Sequence, residues 1–192
     1  MAEDKMKHNF KVLIIGGSAG SLDVLLKVLP GLRKTVTATI VLVLHRKSSS
    51  ESTLVEILSR RTVLPVKEVE DKQPLLVGHI YIAPADYHLL FEENEVMALD
   101  YSERVNYSRP SIDVAFESAS EVFGPSLTCL LLSGANADGM AGLKLVKQRG
   151  GHVAVQDPAT ADSPFMPQQA IRHISVDQVL KIEEMALFIN SL

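Results

Sequence analysis

The stretch KVLIIGGSAGSLDVLLKVL, residues Lys11–Leu29, decides the fold of this chain. It opens with a run of β-branched and aliphatic residues that stops at two glycines. From Ser21 it continues with leucines at helical spacing, and Pro30-Gly31 ends the helix. A strand that is apolar on both faces and leads directly into a helix is typical of a parallel sheet covered on both sides. The stretch therefore predicts the first strand and helix of an α/β protein.

The same alternation of apolar strands and helices continues along most of the chain. Further strands are predicted at Ala38–Leu44, Leu127–Leu132 and His152–Gln156. In the middle, short strands lie between charged turns, and Tyr87–Phe91 with Glu95–Tyr101 indicates a β-hairpin. We therefore predict an α/β fold, a doubly wound, mostly parallel sheet with helices on both faces and an antiparallel β-hairpin insertion. The remaining predicted elements are the short strands Val63–Val69 and His79–Ala83 and the helices Ser52–Ser59, Ile112–Phe123, Met140–Arg149, Gln168–His173 and Val176–Asn190.

Length and composition narrow the class of protein. The chain has 192 residues, 46% hydrophobic and 22% charged, which predicts one globular domain with residues 1–10 as a flexible N-terminus. A net charge of -4 argues against a nucleic-acid surface, and the longest apolar runs are too short to insert into a membrane. The single cysteine, Cys129, cannot form an internal disulfide. We expect a buried core thiol and a cytoplasmic protein.

The turn Gly16–Ser21 between the first strand and helix admits two interpretations. The G-x-G-x-x-G pattern of a dinucleotide-binding turn would need glycine where Ser18 and Ser21 stand, so that pattern fails twice. A G-x-S-x-G motif on a strand, turn and helix instead presents a serine hydroxyl at the rim of the sheet, where helix N–H groups suit a developing oxyanion. Ser18 is therefore a candidate nucleophile, with a helix N-cap in a glycine turn as the alternative.

A serine nucleophile needs a base, and the base needs an anionic partner to orient it. His45 follows the second strand, and Asp138 lies in the SGANADG loop after the strand Leu127–Leu132. Both fall at the carboxyl ends of strands, where open α/β sheets place their ligands. Ser18, His45 and Asp138 thus form a candidate catalytic triad. A surface histidine, and an Asp-Gly turn that caps the helix from Met140, are the alternatives.

Six segments of the chain resemble the catalytic domain of the chemotaxis receptor protein-glutamate methylesterases, the CheB type. They are IIGGSAGSLDVLLKVL, VLHRKSSS, VGHIYIAPADYHLL, SRPSIDVAFESAS, LLSGANADGMAGL and QDPATADSPFMPQQAI, and their order and spacing match from about Val12 to Ile171. The resemblance implies a triad formed by Ser18, His45 and Asp138. It also implies hydrolysis of glutamyl methyl esters on the cytoplasmic helices of chemoreceptors, often with deamidation of glutamine.

Residues around the triad are candidates for the oxyanion site and the cleft. We expect backbone N–H groups of the Ser18 turn and of the Asp138 loop to hold the oxyanion. The candidates for this role are Gly17, Ala19, Gly20, Ala135 and Asn136. Arg109, Ser111 and Met166 are candidates for shaping the cleft, and a helix start capped by Ser111 is the alternative for the first two.

The chain departs from the family pattern at the rim of the predicted site, and each change bears on turnover and substrate choice. The departures are Ala19 for Thr, Ser21 for Gly, Ala135 for Met, Asn136 for Gly and Phe165 for Gly. The family typically carries an N-terminal receiver domain, and nothing before Lys11 could serve as one. We therefore expect no phosphorylation-gated activity within this chain, and a separate regulatory protein is a candidate partner.

Two other classes of function stay open beside a serine hydrolase that needs no metal or cofactor. The rim departures and the missing receiver domain keep open a catalytically weak or inactive CheB-like binding module that docks a receptor or signalling partner. A nucleotide-binding Rossmann protein is the third class. Its acidic ribose ligand is absent, because the second strand ends in His45-Arg46-Lys47, which fits only a 2′-phosphate cofactor.

Overall fold

The structure of the protein, a computed structural model, describes residues 10–46 and 51–192. The predicted flexible N-terminus lies outside these residues apart from Phe10, which packs against the core. The described strands are β1 (Val12–Gly17), β2 (Thr39–Leu44), β3 (Val66–Glu68), β4 (Gln73–Pro74), β5 (Ile80–Ile82), β6 (His88–Glu92), β7 (Val96–Asp100), β8 (Leu127–Leu131), β9 (His152–Gln156) and β10 (Gln178–Leu180). The described helices are α1 (Ser21–Val28), α2 (Glu51–Ser59), α3 (Ile112–Phe123), α4 (Met140–Gln148), α5 (Phe165–His173) and α6 (Ile182–Asn190).

Among the described strands, β1 lies at the centre of a sheet of seven. The order is β10-β9-β8-β1-β2-β5-β3, and every neighbouring pair is parallel. From β1 the chain moves to one side through β2, and from β8 it moves to the other side through β9 and β10. The direction therefore reverses between β1 and β8. In open α/β sheets, ligands bind outside the carboxyl ends of the strands at such a switch point.

Helices cover both faces of this sheet. Leu13 and Ile15 of β1 face a hydrophobic cluster that includes α1, α2 and α6. Val12 and Ile14 face a second cluster that includes α3, α4 and α5. A strand whose alternate residues meet two different layers must be apolar throughout, as the VLIIGG sequence of β1 is. The predicted doubly wound parallel sheet is confirmed.

Gly16 allows α3 to lie close to the end of β1. A Cβ atom at this position would lie 2.5 Å from Ile112 Cγ2 and 3.0 Å from Phe116 Cζ, and the first of these distances is shorter than packed atoms allow. Since glycine lacks this atom, the first turn of α3 packs directly over the strand. The N–H groups of that turn are thereby brought close to the switch point.

The middle of the chain forms a small antiparallel sheet in the order β4-β7-β6. The predicted β-hairpin is therefore confirmed as β6 and β7. Leu89, Phe91 and Met97 of this sheet join the hydrophobic cluster that contains α3. The insertion thus packs on α3, and the chain that leaves β7 at residue 100 leads directly to the first turn of that helix.

One predicted helix is wrong. Val176–Asn190 is not continuous, because Gln178–Leu180 forms β10 in parallel pairing with β9, and α6 begins only at Ile182. The apolar residues of this segment fit helical spacing, but the exposed edge of β9 offers backbone groups that extend the sheet instead. Conversely, α5 begins at Phe165 rather than Gln168, since Pro167 lies in the first turn, where a helix does not need its N–H.

Two expectations from composition concern the core and the helices. Cys129 is fully buried in β8, and this burial raises the pKa of its thiol, which confirms the predicted core position. Within residues 10–46 and 51–192, no helix combines the length and the apolar character needed to cross a membrane.

Candidate active site

The switch point joins the loops that follow β1, β2 and β8. The Ser18 N–H donates to the Ser133 carbonyl beyond β8 at 2.9 Å. The His45 N–H donates to the Gly17 carbonyl at the end of β1 at 3.1 Å. These hydrogen bonds hold the backbone of the predicted nucleophile and of the predicted base at one rim of the sheet.

Ser18 lies outside the helix that follows it. The N-cap of α1 is Gly20, with a φ of 81° and no side-chain cap, so the alternative of Ser18 as an N-cap is wrong. Instead, half-buried Ser18 and His45 border one cavity of about 180 Å³. Ser21 donates its hydroxyl to the Ser18 carbonyl at 2.6 Å and so closes the turn.

The loop after β8 approaches Ser18 through Gly134. A Cβ atom on Gly134 would lie 3.1 Å from Ser18 Cβ and 2.8 Å from Met166 Sδ. Met166 is fully buried, and its N–H donates to the Gly134 carbonyl at 2.9 Å. The structure therefore places Met166 in the core beneath this loop, where it supports the loop against Ser18.

His45 and Asp138 form a close pair beside Ser18. His45 Nε2 lies 2.7 Å from Asp138 Oδ2, with His45 13% exposed and Asp138 fully buried. Because Asp138 is an acceptor, Nε2 carries the proton that it donates, and Nδ1 is left with a lone pair. A surface histidine was the alternative for His45, and this contact excludes it.

Asp138 caps α3 and not the helix that follows it in sequence. The N-cap of α4 is Gly139, without a side-chain cap, so the predicted alternative of an Asp-Gly turn capping that helix is wrong. Asp138 Oδ2 accepts from the N–H of Ile112 at 2.7 Å, and Oδ1 accepts from the N–H of Asp113 at 3.1 Å. The carboxylate therefore lies at the positive end of the α3 dipole.

Three further groups donate to Asp138 Oδ1. They are Ser111 Oγ at 2.8 Å, Asn106 Nδ2 at 2.9 Å and the Gly139 N–H at 3.1 Å. Burial by itself raises the pKa of Asp138, but hydrogen bonds from His45, Asn106, Ile112 and Asp113 outweigh burial and lower that pKa to about 2. Asp138 is thus a permanent anion at neutral pH, as the partner of a catalytic base must be.

Ser111 and Arg109 both have structural contacts at the start of α3. Ser111 is the N-cap of α3, where its hydroxyl accepts from the Val114 N–H, and the same hydroxyl donates to Asp138. Arg109 Nη1 donates to the carbonyls of Tyr101 and Ser102, and its guanidinium lies 3.9 Å from the centre of the Tyr101 ring. Arg109 therefore borders the cleft as a residue that is already held by its neighbours.

A second, polar cavity also borders His45. Its volume is about 540 Å³, and its lining consists of His45, Arg46, Asp86, Arg104, Tyr107, Ser108 and Arg109. The first cavity, beside Ser18, is mostly apolar, with Leu22, Leu44, Leu54 and Ile57 in its wall. The candidate base thus lines both an apolar and a cationic cavity. Among the residues that the structure describes, no group of three or more His, Cys, Asp or Glu could hold a metal ion.

Comparison with known proteins identifies the family. The family model for CheB methylesterase matches residues 13–189. The chain belongs to the CheB methylesterase family. The crystal structure of the Thermotoga maritima CheB methylesterase catalytic domain superimposes with a TM-score of 0.91 at 31% sequence identity, over 96% of this chain and 99% of that chain.

Curated relatives of this CheB methylesterase family member agree with the structural match. Protein-glutamate methylesterase/protein-glutamine glutaminase 2 of Pseudomonas aeruginosa is 34% identical over 179 residues, which are 92% of this chain and 51% of that protein. A Leptospira interrogans protein, which has the same two activities in its provisional name, is 43% identical over 183 residues and 95% of each chain. The chain thus spans about half of the first relative and nearly all of the second.

Asn136 lies next to the candidate base in this member of the CheB methylesterase family. Its Oδ1 accepts from the Asp138 N–H at 3.1 Å, which directs its Nδ2 to a point 3.4 Å from His45 Nδ1. The amide therefore faces the lone pair of the nitrogen that would activate Ser18. Ala19 and Ala135 are exposed in the loops after β1 and β8, whereas Gly17 is buried at the end of β1 and Gly20 is the N-cap of α1.

Sequence reasoning missed Asn106 and Asp113 as parts of the site. Asn106 donates to Asp138, and Asp113 lies beside it with its own side chain buried against α4. Asp113 belongs to the SRPSIDVAFESAS segment that carries the family resemblance, which was the available signal. Asn106 precedes that segment in an irregular stretch, and no motif or periodicity marks it.

Proposed function

We propose that this chain is a serine hydrolase that removes methyl esters from glutamyl side chains of chemoreceptors and that it also deamidates glutamine. The names of its relatives and the family assignment support the two activities. One observation carries the proposed chemistry: the 2.7 Å contact of His45 Nε2 with Asp138 Oδ2 at the rim that also holds Ser18. That arrangement supplies a base with a fixed tautomer beside a half-buried hydroxyl.

The first half of the reaction forms an acyl-enzyme. The Ser18 oxygen attacks the ester carbonyl while its proton moves to His45 Nδ1, and Asp138 stabilises the imidazolium that results. The tetrahedral intermediate then collapses, the bond to the methoxy group breaks, and His45 returns the proton so that methanol leaves. The glutamyl group remains bound to Ser18 as an ester.

The second half releases the product. A water molecule gives a proton to His45 and attacks the acyl carbonyl, and the bond to Ser18 breaks as the serine recovers its proton. Glutamate leaves as the carboxylate, and the enzyme is regenerated. A glutamine substrate follows the same two steps with ammonia in place of methanol, which accounts for both activities with one set of residues.

The oxyanion needs donors that the resting structure does not already use. The N–H groups of Ser18 and Gly134 donate to the carbonyls of Ser133 and Ser163. Ala19 and Ala135 follow these two residues at the exposed rim, and we assign the oxyanion to their N–H groups. Loss of one such donor typically costs about 10²–10³ in rate, so the geometry of these two loops controls turnover.

The proposed substrate is a methylated helix on the cytoplasmic side of a chemoreceptor, and the proposed compartment is the cytoplasm. The polar cavity beside His45 is lined by three arginines and one aspartate, which suits a peptide segment that carries carboxylates. The proposed regulation is by a separate protein. No metal or cofactor has a step in this mechanism.

Methanol release from a glutamyl-methylated receptor fragment tests the proposal. We expect the wild-type chain to release methanol and the Ser18→Ala variant to release none, with unchanged thermal unfolding of the variant. Equal release by both proteins would disprove the role of Ser18. A fluorophosphonate probe, which reacts only with an activated serine, identifies the labelled residue by mass spectrometry.

A second candidate function, a catalytically weak docking module, is favoured by the position of Asn136. Its amide lies 3.4 Å from His45 Nδ1 and competes with the Ser18 hydroxyl for the same lone pair. Fluorophosphonate labelling separates the two candidates. Rapid labelling of the wild type supports the hydrolase, whereas labelling that becomes measurable only in Asn136→Gly supports the docking module.

A further inference from the structure

Residues Val105–Ser108 form a tight turn that leads into α3. Val105 and Ser108 exchange two backbone hydrogen bonds, at 3.2 and 2.9 Å, around Asn106 and Tyr107. Both central residues have positive φ, 51° for Asn106 and 61° for Tyr107. Asparagine is among the side chains that tolerate this backbone conformation best, and it is favoured in two-residue hairpin turns. The residue type at position 106 is thus suited to the turn on backbone grounds alone.

The side chain of Asn106 has a second use. Its Nδ2 lies 2.9 Å from Asp138 Oδ1 and 2.8 Å from Asp113 Oδ2. Both partners are carboxylates, which only accept when ionised, so the group that faces them is the NH₂ and not the carbonyl oxygen. The two amide hydrogens therefore join two different carboxylates.

The amide lies between two buried carboxylates whose negative charges repel each other. Asp113 and Asp138 are both buried. The pKa of Asp113 is raised, mainly by its burial and also by the nearby charge of Asp138, although hydrogen bonds from Gly142 and Asn106 act to lower it. Asp113 Oδ1 is held by the Gly142 N–H at 2.7 Å, so this carboxylate is fixed to α4. A neutral donor between the two acids gives each of them a further hydrogen bond.

The bridge also contributes to the direction of Asp138, together with the Ser111 hydroxyl and the N–H groups of Asp113 and Gly139 on the same oxygen. Asn106 binds Oδ1, and His45 binds Oδ2. A carboxylate is planar, so holding Oδ1 on one side fixes the position of Oδ2 on the other. Asp113, anchored to α4, fixes the amide in turn.

We propose that Asn106 is a positioning residue that ties the Asp138 carboxylate to Asp113 and so directs Asp138 Oδ2 at His45. This inference rests on the proposed function, because His45 is taken as the base. Asn106 touches neither the nucleophile nor the base, and it acts only through Asp138. Asn106 is exposed, whereas Asp113 and Asp138 are buried, so Asn106 covers the two carboxylates on the solvent side.

Asn106→Gly separates the backbone role of Asn106 in the turn from the role of its side chain as a bridge. Glycine adopts the positive φ of the turn without strain, so the backbone is retained while the amide is lost. The matched control is Asn94→Gly, at an exposed position in the turn between β6 and β7. Both variants remove one asparagine side chain from a turn, but only the first removes the bridge.

Two measurements on these variants test the inference. In the free protein, the low-field ¹H resonance of the proton between His45 Nε2 and Asp138 Oδ2 should shift or broaden in Asn106→Gly and stay unchanged in Asn94→Gly. With a methylated receptor fragment, kcat of Asn106→Gly should fall about 10- to 100-fold while KM changes by less than about twofold, because only the reacting geometry is affected.

The outcomes are distinct. An unchanged resonance in folded Asn106→Gly overturns the inference, whatever happens to activity, because a purely structural residue would lower stability without moving that proton. If Asn106→Gly does not fold, Asn106→Asp replaces it, since aspartate keeps the shape but cannot donate when ionised and should shift the same resonance. The resonance is measured without substrate, so it decides the inference even if the wild type releases no methanol, a result that would count against the proposed function alone.

Discussion

The Asp138 carboxylate is fully buried and yet ionised, because six donors from the described part of the chain surround it. The sequence identifies Asp138 as a candidate through its strand-end position and through the family resemblance. It does not reveal the donors, since those come from the first turn of α3 and from the Val105–Ser108 turn, which only the folded chain brings near. The sequence can thus predict a site residue without predicting the groups that donate hydrogen bonds to it.

Asp138→Asn should change both stability and activity. The folded pKa of about 2 lies below the ordinary value of about 3.9, so the charge stabilises the fold above about pH 4, and this contribution is lost as pH falls towards 2. We expect the unfolding free energy of the variant to be about 2 kcal/mol lower than that of the wild type at pH 7. Between pH 4 and 2 it should also change less than the unfolding free energy of the wild type does. We also expect kcat to fall by about 10⁴, because an amide favours the wrong tautomer of His45.

Urea unfolding across pH, with methanol release at pH 7, measures these effects. Asp23→Asn, at an exposed position in the first turn of α1, makes the same chemical change without removing any hydrogen bond to His45 or Asp138 and serves as the control. A wild type and an Asp138→Asn variant with parallel stability curves between pH 4 and 2 would show that Asp138 is not the low-pKa group.

At the scale of secondary-structure elements, the sequence predicts the helices and strands whose apolar residues follow a regular spacing. The helix Ile112–Phe123 and the strand His152–Gln156 are found with their predicted bounds, and both have strong apolar patterns. The edge strand β10 was predicted as helix, since three residues carry too little pattern to reveal pairing with β9. The turn at Asn106 was not predicted, because nothing local marks its role. Buried elements with a strong apolar pattern can thus be predicted from the sequence. Edge strands and irregular connections cannot.

Gly16→Ala should separate α3 from β1 and disturb the site. The added Cβ would lie 2.5 Å from Ile112 Cγ2, so Ile112 must shift, and any movement of its backbone displaces the N–H that binds Asp138 Oδ2. We expect a loss of about 1–3 kcal/mol in unfolding free energy and a fall in kcat of up to about 10²-fold. Thermal or urea unfolding and methanol release measure the two effects.

Gly31→Ala is the matched control for this change. A Cβ there would lie 2.7 Å from Ala186 Cβ, which places the strain between the end of α1 and α6. We expect a comparable loss of stability with kcat close to wild type. If both variants lose activity in proportion to stability, the close packing of α3 on β1 has no specific part in catalysis.

On the scale of the whole molecule, charge is distributed unevenly around the site. The chain has a net charge of -4, yet the polar cavity beside His45 is lined by three arginines against one aspartate. Arg46 pairs with Glu68, and Arg109 is held by backbone carbonyls and the Tyr101 ring. Arg104 is 63% exposed and lies 3.9 Å from Asp86, so it is the arginine of this cavity best placed to meet an incoming anion.

Arg104→Glu should therefore weaken substrate capture without changing the chemical step. Reversing this charge removes attraction for a carboxylate-rich segment, so we expect KM to rise several-fold, kcat to stay within about twofold, and the salt dependence of kcat/KM to decrease. Arg60→Glu makes the same charge change just after the end of α2, outside the cavity, and should alter none of these parameters. Equal effects of the two variants would mean that the overall charge of the chain acts on the substrate, and not the cationic cavity beside His45.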